Sequence, residues 1–74
     1  MNIIIGGNIA AKRKEKGWTQ TELAAKIGVN EIQVSRWENG KHLPTVEQFV
    51  CSADALSCSL DELAGLARAN SDNV

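Results

Sequence analysis

The sequence predicts an all-α fold, a compact domain of five helices. Three observations point there. Alternating apolar and polar runs bounded by hairpin turns are absent, so strands find no support. Residue pairs with capping-box spacing recur four times along the chain. Glycines stand just past three of the helical stretches, where a left-handed residue ends a helix without steric cost.

The first helix is expected over Ile4 to Lys16. Gly6 and Gly7 each cost about 1 kcal/mol inside a helix, which makes Asn8 a second candidate start. The capping pairs supply the remaining starts: Thr19 with Glu22, Asn30 with Gln33, Thr45 with Gln48, and Ser59 with Glu62. In each, the cap side chain takes the N–H of the third helical residue and the Glu or Gln reaches back. Each cap is also flanked by a hydrophobic staple, namely Trp18 with Leu23, Val29 with Val34, Pro44 with Phe49, and Cys58 with Leu63. The helices that follow are Gln20 to Ile27, Glu31 to Asn39, Val46 to Leu56, and Leu60 to Ala69. Gly17, Gly28 and Gly40 provide stops, with Lys16, Lys26 and Arg36 placed favourably for the helix dipole before them. One domain is expected over residues 1–69, with 70–74 (NSDNV) a frayed tail.

A chain of 74 residues buries one modest core, which disfavours an enclosed active-site cleft. No apolar run approaches the roughly 18 residues that span a bilayer, and no membrane partner is expected. The start MNIII is too short for a signal-peptide core, so the expected location is the cytoplasm. Cys51 and Cys58 read as one surface and one core thiol. A metal site would need His42 and would still lack a fourth ligand, so no metal is expected. With no nucleophile–base constellation and no Gly-rich phosphate loop, neither catalysis nor a cofactor is expected.

Helices two and three are joined only by Gly28, Val29 and Asn30, the arrangement of a helix-turn-helix. Leu23, Ala24 and Ile27, then Val29, then Val34 and Trp37 form one apolar seam. The opposite face of helix three is therefore wet, and it carries Asn30, Glu31, Ile32, Ser35 and Arg36.

The stretch TQTELAAKIGVNEIQVSRWENGKHLPT resembles the helix-turn-helix of the Cro and lambda-repressor type of bacterial and phage regulators. The likeness extends from about Ile9 to Leu63, through RKEKGWTQ before it and SLDEL after it. It implies that helix three lies in the DNA major groove, with Asn30, Glu31, Ile32, Ser35 and Arg36 reading bases. It implies phosphate contacts at Gln20, which opens helix two, and at Asn39, Gly40, Lys41 and His42 in the loop after helix three. It also implies a structural ion pair between Arg13 and Glu38. Three positions depart from the family pattern. Ser57 replaces the usual helix-ending glycine, which predicts left-handed strain or a different end to helix four. Lys12 replaces an apolar residue, which predicts a stem on the core and an amine in water. Ile32 puts an apolar side chain on the reading face, for a thymine methyl or for a protein contact.

Each functional reading has a plainer competitor. Arg36 fits bidentate recognition of guanine O6 and N7, against a solvated helix-end arginine. Glu31 either accepts from cytosine N4 or complements the helix N-terminus. Gln33 is explained by its cap. Trp18 and Trp37 sit at staple and seam positions and read as core anchors. Leu60, Leu63 and Leu66 with Ala64 and Ala67 give helix five an apolar face, either core or a homodimer contact.

The net charge is −1, which at first opposes a polyanionic partner. Its distribution removes the objection. Up to His42 there are seven positive and four negative side chains, a balance of +3; from Leu43 there are one and five, a balance of −4. The half carrying the helix-turn-helix is the basic one. The leading reading is a transcriptional regulator, a repressor by type, that binds double-stranded DNA as a homodimer on two half-sites about one helical turn apart. The competing reading is a protein-interaction or antitoxin-type module with weak or partner-dependent DNA binding, motivated by the acidic second half, Ile32 and Cys51.

Overall fold

A computed structural model of the protein describes residues 5–66. Among them are five helices and no strand: α1 (Ile5–Glu15), α2 (Gln20–Ile27), α3 (Glu31–Glu38), α4 (Val46–Ala55) and α5 (Leu60–Ala64).

All four expected capping boxes form with both hydrogen bonds in place. At α2, the Glu22 N–H donates to Thr19 Oγ1 at 3.1 Å and the Thr19 N–H donates to Glu22 Oε1 at 2.7 Å. The box at α5 also tunes a side chain. The bond from the Ser59 N–H, reinforced by nearby Lys12, holds the Glu62 carboxyl below its ordinary range. Gly17, Gly28 and Gly40 adopt φ near +75°, as expected of helix stops. Ser57, standing where glycine is usual, takes φ 57°, so α4 is followed by a left-handed residue that is not glycine, a strained conformation.

One expected boundary is corrected, and one of two candidate starts is decided. The helix expected over Leu60 to Ala69 stops at Ala64, because Gly65 takes φ 81° and its N–H turns back to the Asp61 and Glu62 carbonyls. Leu66 then follows a helix end and is 61% exposed, so the five-residue apolar face expected of this helix reduces, within the described part of α5, to Leu63 buried, Ala64 half-buried and Leu60 exposed. Ala67 to Ala69 and the expected tail 70–74 lie outside the described residues. At the other end, α1 runs through both glycines rather than starting at Asn8. Asn8 serves α5 instead: its Nδ2 donates to the Leu63 carbonyl at 3.0 Å, partnering one of the carbonyls that a helix C-terminus leaves open.

The core consists of Ile9, Leu23, Ala24, Val34, Trp37, Ala53, Leu56 and Leu63, with Trp18, Ile27, Val29, Phe49 and Cys58 packed around it. The expected α2–α3 seam is present, its members ranging from fully to partly buried. α3 is held between α2 and α1, while α4 and α5 close the core from the other sides. Burial raises the Cys58 thiol pKa, with Glu62 adding to the rise, whereas Cys51 is exposed. Lys12 is half-buried, its Nζ 3.7 Å from Glu62 and 3.9 Å from Glu15.

Gly6 explains why α1 tolerates a glycine. A Cβ built there would lie 1.7 Å from the Trp37 carbonyl oxygen, so only glycine lets α1 approach the backbone of α3. Gly7 has nothing within 4 Å of its would-be Cβ. Gly6→Ala is expected to destabilise by about 3 kcal/mol, the upper end for overpacking, because the obstacle is backbone. Gly7→Ala should instead stabilise by about 0.5–1 kcal/mol. Thermal melts of the two variants decide it, and equal shifts would remove the close approach from the account.

Candidate nucleic-acid interface

The site is built on α3. Its buried side, Val34 and Trp37, locks the helix to the core, so residues a few positions away must face solvent. Asn30, Glu31 and Arg36 are exposed, Ser35 is half-buried, and Ile32 is 60% exposed. Asn30 and Gln33 are committed to the cap: the Gln33 N–H donates to Asn30 Oδ1 at 2.9 Å and the Asn30 N–H to Gln33 Oε1 at 3.4 Å.

The structure brings most of the expected residues together. Gln20, Glu31, Ile32, Ser35, Arg36, Asn39 and Lys41 line one open depression. Asn30, Gly40 and His42 do not. His42 lies instead in a second hollow between α3 and the start of α4, with Gln33, Trp37, Leu43, Thr45 and Gln48, and Arg36 borders both hollows. Gly40 supplies the turn. Its N–H donates to the Trp37 carbonyl at 3.1 Å, and the Lys41 N–H donates to the Arg36 carbonyl at 2.9 Å. The loop backbone is therefore turned toward α3, leaving side chains to face the depression. Asn39 Nδ2 donates to Ser35 Oγ at 3.3 Å, tying the loop to the helix above it.

Behind the depression lies the ion pair. Arg13 Nε donates to Glu38 Oε2 at 2.7 Å and Arg13 Nη2 to Glu38 Oε1 at 3.0 Å, a bidentate geometry. Arg13 Nη1 donates to the Trp18 carbonyl at 2.8 Å. The two side chains are only 11% and 7% exposed. The bond to Glu38 raises the Arg13 guanidinium pKa above its ordinary value. A contact with no local sequence signal joins it: Gln20 Nε2 donates to Glu38 Oε1 at 2.9 Å, across 18 residues of sequence. Lys26 and Lys16 sit 4.5 and 5.8 Å from the Trp18 ring centroid, so these cations cover an aromatic face, and neither lines the depression.

The family model for helix-turn-helix proteins matches residues 9–63. The chain belongs to the helix-turn-helix family. It is 42% identical over 57 residues to the cryptic phage CTXphi transcriptional repressor RstR of Vibrio cholerae serotype O1, a match covering 77% of this chain and 51% of that protein. With the uncharacterised HTH-type transcriptional regulator y4dJ of Sinorhizobium fredii it shares 40% over 63 residues, covering 85% and 82%. Among solved structures, the c2 repressor of phage P22 in complex with synthetic operator 9T matches with a TM-score of 0.82 at 30% identity, over 89% of this chain and all of that one. The chain thus spans about half the length of RstR. In this helix-turn-helix domain α2 and α3 are the paired helices, and the depression lies on the outer side of α3 beside the start of α2.

Removing either partner of the Arg13–Glu38 pair strands a charge that water reaches poorly. Arg13→Ala and Glu38→Ala should each lose about 3 kcal/mol of stability. Thermal melts read this directly, and an unchanged midpoint in either variant would show the pair to be dispensable.

Proposed function

We propose that this chain is a transcriptional regulator of the repressor type that binds double-stranded DNA sequence-specifically, laying α3 in the major groove. One observation carries the reading: in a helix-turn-helix chain, the outer side chains of α3 share a single open depression with Gln20 from α2 and Lys41 from the following loop. That combination supports the reading, because side chains suited to base edges share the depression with side chains suited to the sugar-phosphate backbone. Arg36 offers a planar fork for guanine O6 and N7, Ile32 an apolar surface for a thymine methyl, and Ser35 a hydroxyl. Gln20, Lys41 and Asn39 face the sugar-phosphate backbone.

Few phosphates can be neutralised by one copy, so a monomer should bind weakly and a homodimer on two half-sites tightly. Exposed Leu60 and Leu66 at α5 support a dimer contact there. Sedimentation over a wide concentration range, with and without a palindromic duplex, is expected to show a weak dimer. A species that stays monomeric and binds one copy per palindrome contradicts this.

Selection from a random duplex pool gives the site against which variants are read. Arg36→Ala should cost about 1–3 kcal/mol on that site and relax preference at one base pair. Lys41→Ala should weaken every duplex alike and flatten the salt dependence by about one unit of slope. An unchanged ratio of site to random affinity in Arg36→Ala removes it as a base reader. If neither change affects any duplex, an interaction or antitoxin-type module is the better description.

A further inference from the structure

We infer that Glu38 is a positioning residue for Gln20, presenting its amide to the DNA backbone in one fixed orientation; the inference rests on the DNA-binding reading above. The argument starts from what each group can do in a hydrogen bond. An ionised carboxylate only accepts, whereas a glutamine amide has an acceptor oxygen and an NH2 with two donors. The contact between Gln20 and Glu38 Oε1 at 2.9 Å therefore has to use the amide nitrogen. One N–H points inward to Glu38, and the other is left for an acceptor outside.

The carboxylate is itself immobile. Both of its oxygens are held by Arg13, and Arg13 is anchored in turn on the Trp18 carbonyl. The chain of contacts runs from α1 through α3 to the first residue of α2, and it ends on a half-buried side chain that lines the depression with Ser35, Arg36 and Lys41. An unrestrained glutamine loses rotamer freedom when it meets a phosphate. One already held by Glu38 has lost that freedom on folding, so its contact is made at lower cost. Glu38 thus acts on DNA affinity without touching DNA, a role beyond its part in the ion pair.

The test is a double-mutant cycle with Gln20→Ala, Glu38→Gln and the double variant, titrated against the selected duplex at a temperature where circular dichroism shows each folded. Glu38→Gln keeps the shape but lets either end of the Gln20 amide face inward. Gln20→Ala should weaken binding about three- to ten-fold when Glu38 is present and less than about two-fold when it is not. Because an amide carries no charge, Gln20→Ala should leave the salt slope unchanged, unlike Lys41→Ala. A wild-type measurement that needs no variant to fold is the 1H–15N spectrum of the Gln20 side chain. Its two amide protons should be widely separated, one shifted downfield by the carboxylate. Equal Gln20→Ala costs in both backgrounds, or a collapsed amide pair, would overturn the positioning role alone. A wild-type protein that binds no duplex would overturn the DNA reading and this inference with it.

Discussion

The bidentate pair between Arg13 and Glu38 is the constraint on which the rest of the structure depends. Two charges this poorly exposed are costly to remove from water, and their mutual attraction offsets the cost only when the remaining donors and acceptors are also satisfied. Here each of the three guanidinium nitrogens makes one bond and both carboxylate oxygens accept, the partners drawn from α1, α3, the turn before α2 and the first residue of α2. Such a pair contributes modestly to net stability compared with an apolar replacement, but it accepts only one geometry. Gly6, Ile9 and Arg13 follow one another at spacings of three and four, so they share a face of α1. Gly6 abuts the backbone of Trp37, Ile9 enters the core, and Arg13 holds Glu38. The C-terminal end of α3 is fixed by contact, burial and charge along one line.

Fixing that end of α3 has a consequence for the other side of the helix. Val34 and Trp37 face inward and the cap consumes Asn30 and Gln33, which leaves Glu31, Ile32 and Arg36 exposed on a helix that cannot roll. An exposed isoleucine has no folding benefit from that position, and Arg36 makes no ion pair among the described residues. Their arrangement makes sense as a surface kept for a partner, with rigidity supplied from behind by residues that never reach it.

How legible this was in the sequence depended on range. Features set by neighbouring residues are readable: four capping boxes and three glycine stops follow from local geometry that any chain obeys. The exposed face of α3 was readable too, because it is the complement of an apolar seam with helical period. Gly65 is a local stop of the same kind as Gly17, Gly28 and Gly40, and its left-handed conformation ends α5 before the apolar spacing of Leu63, Leu66 and Ala67 would suggest. What no spacing could announce were contacts between distant segments. Gly6 looks like a helix weakener until the Trp37 carbonyl is seen beside it, and Asn8 looks like a helix start until its amide is seen on Leu63. Gln20 was assigned its outward role by family likeness. Its inward bond to Glu38 needed three helices to be in place first.

The placement of backbone donors decides how this face can grip a polyanion. The N–H groups of Gly40, Lys41 and His42 are all directed to carbonyls at the end of α3, so the loop offers no backbone cradle of its own. Grip then falls to side chains, and the charged groups lining the depression are Arg36 and Lys41 against Glu31. Glu38, behind it, is neutralised by Arg13. The excess is a single positive charge for each copy, far too little for tight non-specific binding. On the proposed DNA-binding reading, a chain with this distribution relies on two copies and on matching base edges rather than on bulk attraction. An overall charge of −1 is thus compatible with the proposed DNA-reading surface, for which the orientation of each polar side chain on α3 and at the start of α2 would count for more than the number of lysines.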